Sequence, residues 1–227
     1  MTRALLVGAA PCEHKALTFL LEQVAFDYVI AVDGGYQTLL EKKVYPDVVF
    51  GDFDSLGFVP DQQNVEAFDP HKDFTDMDLA LKFAAEQNFD DLVMCDAFVG
   101  RLDHTLGNLQ LLISAASRGM RVWGFTEEEG ILALYAPGNL SVIRFDEGAF
   151  GTFSLISHAD VCEGVNEAGF EWSLSDATVL NRAVWGVSNE LIGTPAIASC
   201  EQGSLWAFYP LAEFSRVLYG KDGHRLI

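Results

Sequence analysis

The sequence predicts an α/β domain, a mostly parallel sheet flanked by helices, followed by an all-β sandwich domain. Three observations carry this. Through about Thr126, short apolar strand segments alternate with segments of helical periodicity. Beyond it, β-rich segments succeed one another across turn signals with no long helix. Between the two textures stands Glu127-Glu128-Glu129-Gly130, which places the boundary so that the domains run 1–127 and 128–227.

The elements follow in order. Ala4 to Val7 is a short apolar strand, Lys15 to Val24 has helical spacing, and Tyr28 to Val32 is a strand ending at Asp33-Gly34-Gly35. Tyr36 to Lys43 reads as a helix, and Val48 to Phe50 as a strand running into Gly51-Asp52-Phe53-Asp54-Ser55. Thr75 to Gln87 is helical, Leu92 to Cys95 is a strand ending at Asp96, His104 to Ser117 is a helix and Arg121 to Phe125 a strand. The second half offers strands at Ile131 to Ala136, Leu140 to Phe145, Gly151 to Ser157, Thr178 to Leu180, Ala196 to Ser199 and Leu205 to Tyr209.

Half of the 227 residues are apolar and 21% are charged, an ordinary globular mixture with enough apolar surface for a core. Fourteen Lys and Arg face 33 Asp and Glu, a net charge of −19 that disfavours nucleic acid and anionic membranes as partners. No apolar run is long enough to cross a bilayer. The opening MTRALLVGAAP reads as a first strand and not a signal peptide. Cys12, Cys95, Cys162 and Cys200 stand far apart without C-x-x-C or zinc spacing, so free thiols in a reducing cytoplasm are expected.

Acidic residues gather where strands end, at Asp33, Asp52, Asp54, Asp96 and Asp103, and at a helix start, Asp73, Asp76 and Asp78. Open α/β sheets bind ligands outside the carboxyl ends of their strands, so these carboxylates are expected around one crevice. Asp52 and Asp54, two apart in extended chain, leave on the same side and can ligate a hard cation; a polar turn with solvated acids is the other reading. Thr75 with Asp78 resembles a capping box, with Asp replacing the usual Glu or Gln. Arg101 is a forked donor suited to phosphate oxygens, and Lys72 sits where a helix N-terminus offers N–H groups to an anion.

These segments together resemble the thiamine pyrophosphokinase family. The matching pieces are Asp33-Gly34-Gly35, Pro46-Asp47 leading into Gly51-Asp52-Phe53-Asp54-Ser55, Lys72-Asp73-Phe74-Thr75-Asp76 with Asp78, and Gly100-Arg101-Leu102-Asp103-His104 with Asn108. Gly169-Phe170-Glu171-Trp172-Ser173-Leu174 and Gly186-Val187-Ser188-Asn189-Glu190 match later segments. Gly8-Ala9-Ala10-Pro11 and Ala97-Phe98-Val99-Gly100 depart from the family by carrying fewer glycines.

The resemblance implies transfer of a diphosphate group from ATP to the hydroxyl of thiamine, releasing AMP, in a cytoplasmic homodimer with the active site at the subunit interface. It implies magnesium and phosphates surrounded by Asp52, Asp54, Asp76 and Asp103, with Arg101 as a further catalytic residue. It implies nucleotide contacts from Asp33, Gly34, Ser55, Lys72, Asp73, Thr75 and His104. Thiamine would meet Trp172, Ser188 and Asn189, while Trp123, Trp185 and Trp206 are expected in core or interface. The alternatives are a diphosphokinase for another small alcohol such as a pterin, a phosphatase using the Asp52-Phe53-Asp54 pair, or a non-catalytic thiamine-binding protein.

Overall fold

A computed structural model describes residues 1–51 and 74–227, and the backbone of residues 65–67. The chain divides into two compact units, Met1–Leu111 with Trp123–Glu127, and Leu112–Val122 with Glu128–Ile227.

In the first unit, strand β1 (Arg3–Val7) carries Ala4, Leu5, Leu6 and Val7 out of all contact with solvent. A continuous apolar run of this kind suits a strand covered on both faces. Strands β2 (Tyr28–Val32) and β5 (Asp91–Cys95) flank β1, both parallel to it, with Val7 beside Ala31 on one side and Cys95 on the other. Outside β2 lie β3 (Val48–Gly51) and then β4 (Val65–Ala67), also parallel. Adding β6 (Arg121–Phe125), the order is β6-β5-β1-β2-β3-β4. The chain therefore builds outward from β1 in one direction, then returns to its other side with β5. The sequence helices are α1 (Lys15–Gln23), α2 (Gly35–Glu41), α3 (Asp76–Glu86) and α4 (Leu102–Ser117). Thr75 caps α3 by accepting the Asp78 N–H at 3.2 Å. The Asp78 carboxylate turns to Lys82 one turn on, at 2.7 Å, so the cap is Thr75's alone.

The second unit holds β7 (Glu129–Ala136), β8 (Val142–Phe145), β9 (Phe150–Ser157), β10 (Val161–Ala168), β11 (Leu174–Leu180), β12 (Asn189–Ile192), β13 (Ala196–Ser199), β14 (Gly203–Pro210), a 3₁₀ turn (Leu211–Arg216) and β15 (Val217–Tyr219). Strands run in the orders β12-β9-β14-β7 and β11-β10-β13-β8-β15, with every pairing antiparallel. Phe145 of β8 meets Phe153 of β9 and Tyr209 of β14 edge-on, and Phe153 stacks on Phe170 with centroids 4.5 Å apart. Such pairs add to the burial of large rings. The strand pairings as a set define an α/β fold with a large mixed sheet and a second, antiparallel one.

Two buried polar arrangements stand out. In the first unit, the fully buried Trp123 indole N–H donates to the buried Asp91 carboxylate at 3.0 Å, with Arg3 Nε 3.8 Å from the other oxygen. In the second, Glu167 of β10 is buried and its Oε2 accepts from Asn189 Nδ2 at 2.7 Å, while Oε1 has no hydrogen-bond partner among the described residues. Burial pushes the Glu167 carboxyl up to about 7, against the pull of the Asn189 hydrogen bond.

Replacing Asp91 by Ala removes the carboxylate that accepts the indole N–H and opens a gap. Urea unfolding should register a loss of about 3 kcal/mol, and a loss below about 1 kcal/mol would show the pair to be dispensable. For Glu167 the sign follows from its raised value. Below the ordinary carboxyl value both folded and unfolded chains hold the proton; above it the unfolded chain releases it first. Stability should thus decline as pH rises from about 4.5 to about 7, and Glu167→Gln should flatten that decline. An unchanged slope in the variant would place the titration elsewhere.

Candidate active site

The reversal of building direction lies between β1 and β5, and ligands in open α/β sheets bind outside the carboxyl ends at such a point. A cavity of about 810 Å³ opens there. Its walls are the loop Gly8–Pro11 after β1, Asp33 after β2, Asp96 and Ala97 after β5, and the starts of α3 and α4. Close approach makes the crevice. A side chain at Gly35 would collide with the Val7 carbonyl, so only glycine lets α2 begin against the end of β1. A side chain at Gly51 would collide with the Asp33 carboxylate, which lies across it; Asp33 itself takes a left-handed φ of 50°.

Asp33, Thr75, Asp76, Arg101, Asp103 and His104 all line this cavity, and Gly34 stands beside it against Ala9. Asp52, Asp54, Ser55, Lys72 and Asp73 lie outside the described residues. Asn108 donates to the Ala97 carbonyl at 2.6 Å, tying α4 to the segment after β5.

Arg101 and Asp103 are bound to each other. The guanidinium donates from Nη2 to Asp103 Oδ2 at 2.7 Å and from Nε to Oδ1 at 3.2 Å, and the His104 N–H donates to Oδ1 at 3.0 Å. Arg101 holds the Asp103 carboxyl down at about 2, so it is fully ionised at neutral pH, and Asp103 in turn raises the guanidinium. Both side chains are mostly exposed, so the pair is a pre-formed geometry more than a source of stability. Hard oxygen donors are present in Asp76 and Asp103, although among the described residues they do not close into a three-donor cluster.

The segments expected to meet thiamine lie in the second unit. Trp172 is 60% exposed. Asn189, expected beside thiamine, is tied into the chain by its side chain. Its side chain is buried, its Oδ1 accepts from the Trp172 and Glu190 N–H groups at 3.1 and 2.8 Å, and its Nδ2 donates to the Trp172 carbonyl and Glu167, each at 2.7 Å. The amide's donors and acceptors are engaged with the protein, and through two of these bonds it holds the Trp172 backbone. Ser188, at φ 63°, donates its backbone N–H to Ser154 Oγ at 3.0 Å, which leaves its own hydroxyl unassigned by any described contact. Trp123 is core, Trp206 is half-buried edge-on to His158, and Trp185 is 58% exposed and so is not core.

Sequence reasoning missed a grouping beside the cavity. Cys12 and His14, from the loop after β1, meet Asp96 at the end of β5. Residues 84 and 82 positions apart carry no spacing signal; only the β1–β5 pairing brings them together.

Known proteins agree with this architecture. The model of the thiamin pyrophosphokinase catalytic domain matches residues 21–124. The thiamine pyrophosphokinase of Bacillus subtilis (strain 168) is 28% identical over 183 residues, spanning 78% of this chain and 84% of that protein. The crystal structure of thiamine pyrophosphokinase from Bacillus subtilis aligns over 92% of this chain and 99% of its own, with a TM-score of 0.78 and 25% identity. That of thiamin pyrophosphokinase from Geobacillus thermodenitrificans aligns over 92% and 97%, with a TM-score of 0.77 and 27% identity. Motif order, cavity position, domain match and fold converge: the chain is similar to the thiamin pyrophosphokinases in its catalytic segment and in its fold.

Proposed function

We propose that this chain is a thiamine diphosphokinase, transferring diphosphate from ATP to the thiamine hydroxyl with release of AMP. The observation that carries it is the convergence of the described motif residues Asp33, Asp76, Arg101 and Asp103 on one cavity at the strand-order reversal, within the segment that matches the family's catalytic domain. Residues 1–127 form the nucleotide-binding catalytic domain in this reading, and residues 128–227 a β-sandwich that supplies the thiamine contacts.

Phosphoryl-type transfer needs positioning and charge stabilisation more than covalent chemistry from the protein. The α3 and α4 N-termini open on the cavity, and their dipoles suit phosphate oxygens. Thr75 and His104 lie at those starts, while Asp33 and Gly34 close the opposite wall, where the nucleotide's remaining parts would rest. Ser55, Lys72 and Asp73 join these contacts by motif match. Arg101 offers its fork to the transferring group. The donor set fits Mg²⁺: Asp76 and Asp103, with Asp52 and Asp54 by motif match, are hard carboxylates suited to it. Bound there, the cation would supply charge neutralisation for the polyphosphate in a chain of net charge −19.

Trp172 presents an exposed indole, held through its backbone by Asn189, to the cationic rings of thiamine, and Ser188 adds a hydroxyl. Exposed Val184 and Trp185, close to that segment in sequence, support a homodimer in which the site forms at the subunit interface. Among the described residues no helix is long and apolar enough to cross a membrane, and the cysteines are free, which supports a cytoplasmic location.

The test is coupled detection of AMP from ATP, Mg²⁺ and thiamine, with pterin alcohols and thiamine-free controls alongside. AMP that depends on thiamine is expected. Release of inorganic phosphate without thiamine would overturn the reading in favour of a phosphatase. Asp76→Asn should lower kcat by roughly 100-fold or more with the circular-dichroism spectrum unchanged. Trp172→Ala should raise the KM for thiamine by about 2- to 30-fold, the span of an indole–cation contact, with the KM for ATP little changed. Equal rises in both would indicate a general defect.

A further inference from the structure

Beside the cavity, three donors of different chemistry converge. Cys12 Sγ lies 3.5 Å from His14 Nδ1 and 3.3 Å from Asp96 Oδ1, and His14 Nδ1 lies 2.6 Å from Asp96 Oδ2. All three ligand atoms fall within 4.8 Å of one another. Asp96 is buried, and Cys12 and His14 are half-buried, so the point of convergence is sheltered but reachable.

The geometry excludes a nucleophile relay. In a Cys-His-Asp relay the imidazole meets the thiol through one nitrogen and the carboxylate through the other. Here the same nitrogen, Nδ1, faces both partners. Burial, foremost, also pushes the Cys12 thiol up to about 12, so by itself it holds its proton at neutral pH.

A metal ion explains convergence on one nitrogen, one sulfur and one carboxylate. Zinc bond lengths place tetrahedral S–N and S–O neighbours about 3.5 Å apart and N–O neighbours about 3.3 Å apart. Two of the three observed separations already match. The third, a hydrogen bond at present, must open by roughly 0.7 Å once no proton lies between the atoms. The backbone commits to this arrangement at a cost: His14 and Asp96 both take left-handed conformations, with φ of 59° and 52°. Glu127, which accepts the Lys15 N–H on both oxygens at 3.2 Å, adds negative potential near Cys12.

We propose that Cys12, His14 and Asp96 form a site for a thiophilic divalent cation, zinc being the best match, with water in the fourth position. Binding replaces the thiol proton, which leaves to solvent, and the imidazole proton moves to Nε2. The ion pins the loop after β1 to the end of β5, and since Pro11 and Asp96 both line the cavity, it stiffens that wall. This site is separate from the magnesium carboxylates of the proposed reaction and takes a softer cation.

The test uses the full chain, stripped with chelator and titrated with Co²⁺ and then Zn²⁺. One Co²⁺ per chain with a near-ultraviolet sulfur-to-cobalt charge-transfer band is expected, and one equivalent of Zn²⁺ should abolish the band. Surface carboxylates binding cobalt give no such band. Zn²⁺ should also slow alkylation of Cys12 at least about tenfold, read by mass mapping. Cys12→Ser and His14→Gln should lose the band and weaken Zn²⁺ binding beyond the about 10–100-fold typical of losing an outer-shell partner. No band and no protection in the unmodified chain overturns the site, as does a band that survives Cys12→Ser. Neither readout uses the diphosphokinase assay, so one reading can fail while the other stands.

Discussion

The site depends on β1 being sandwiched in its own sheet. Because β2 and β5 both pair with β1 in parallel, the loops that follow all three emerge at one edge, side by side. That single arrangement brings Gly8–Pro11, Asp33 and Asp96 together from positions scattered over nearly ninety residues. The full burial of Ala4 to Val7 is what makes the strand order hard to change. A slipped register would move the loop after β1 out of line with those after β2 and β5 and dismantle the cavity.

Charge in the cavity is already partly balanced before any ligand arrives. Asp103 is paired with Arg101 and Asp78 with Lys82, while Asp96 is hydrogen-bonded by Cys12 and His14. In a chain of net charge −19 these local pairings matter, since a ring of bare carboxylates would repel one another as well as a nucleotide. The second unit uses a different device. There a buried carboxylic acid, Glu167, braces Asn189, and Asn189 braces the exposed Trp172. The aromatic platform therefore rests on a buried hydrogen-bonded pair and not on its own packing.

Much of the first unit was legible in the sequence, because its strands are continuous apolar runs and its helices are amphipathic. Tyr28–Val32 and Arg121–Phe125 fall on the predicted residues, and the other first-unit elements predicted differ by one or two at the ends. The strands Val161–Ala168 and Asn189–Ile192 escaped notice. The first alternates poorly, with Gly164 at φ 63° breaking its register against β11, and the second is only four residues long. Of the carboxylates expected at one crevice, Asp33, Asp76, Asp78, Asp96 and Asp103 line the cavity, and they were legible because strand and helix ends are readable; Asp52, Asp54 and Asp73 lie outside the described residues. The fate of Asn189 was not, since hydrogen-bond saturation depends on partners from another strand. Nor was the Cys12, His14 and Asp96 grouping, which is created by strand pairing alone.

The Arg101–Asp103 clasp has a bearing on what the cavity admits. A lone cation taking the carboxylate would leave the guanidinium without its counter-ion, and a lone polyphosphate taking the guanidinium would leave the carboxylate facing more negative charge. A polyphosphate already carrying its cation can replace both partners in one exchange, anion to Arg101 and cation to Asp103. On the proposed function, the clasp would act as a two-key lock, favouring a metal-laden nucleotide over either component arriving alone. Because both side chains face water, the preference is modest in energy and weakens as salt is raised.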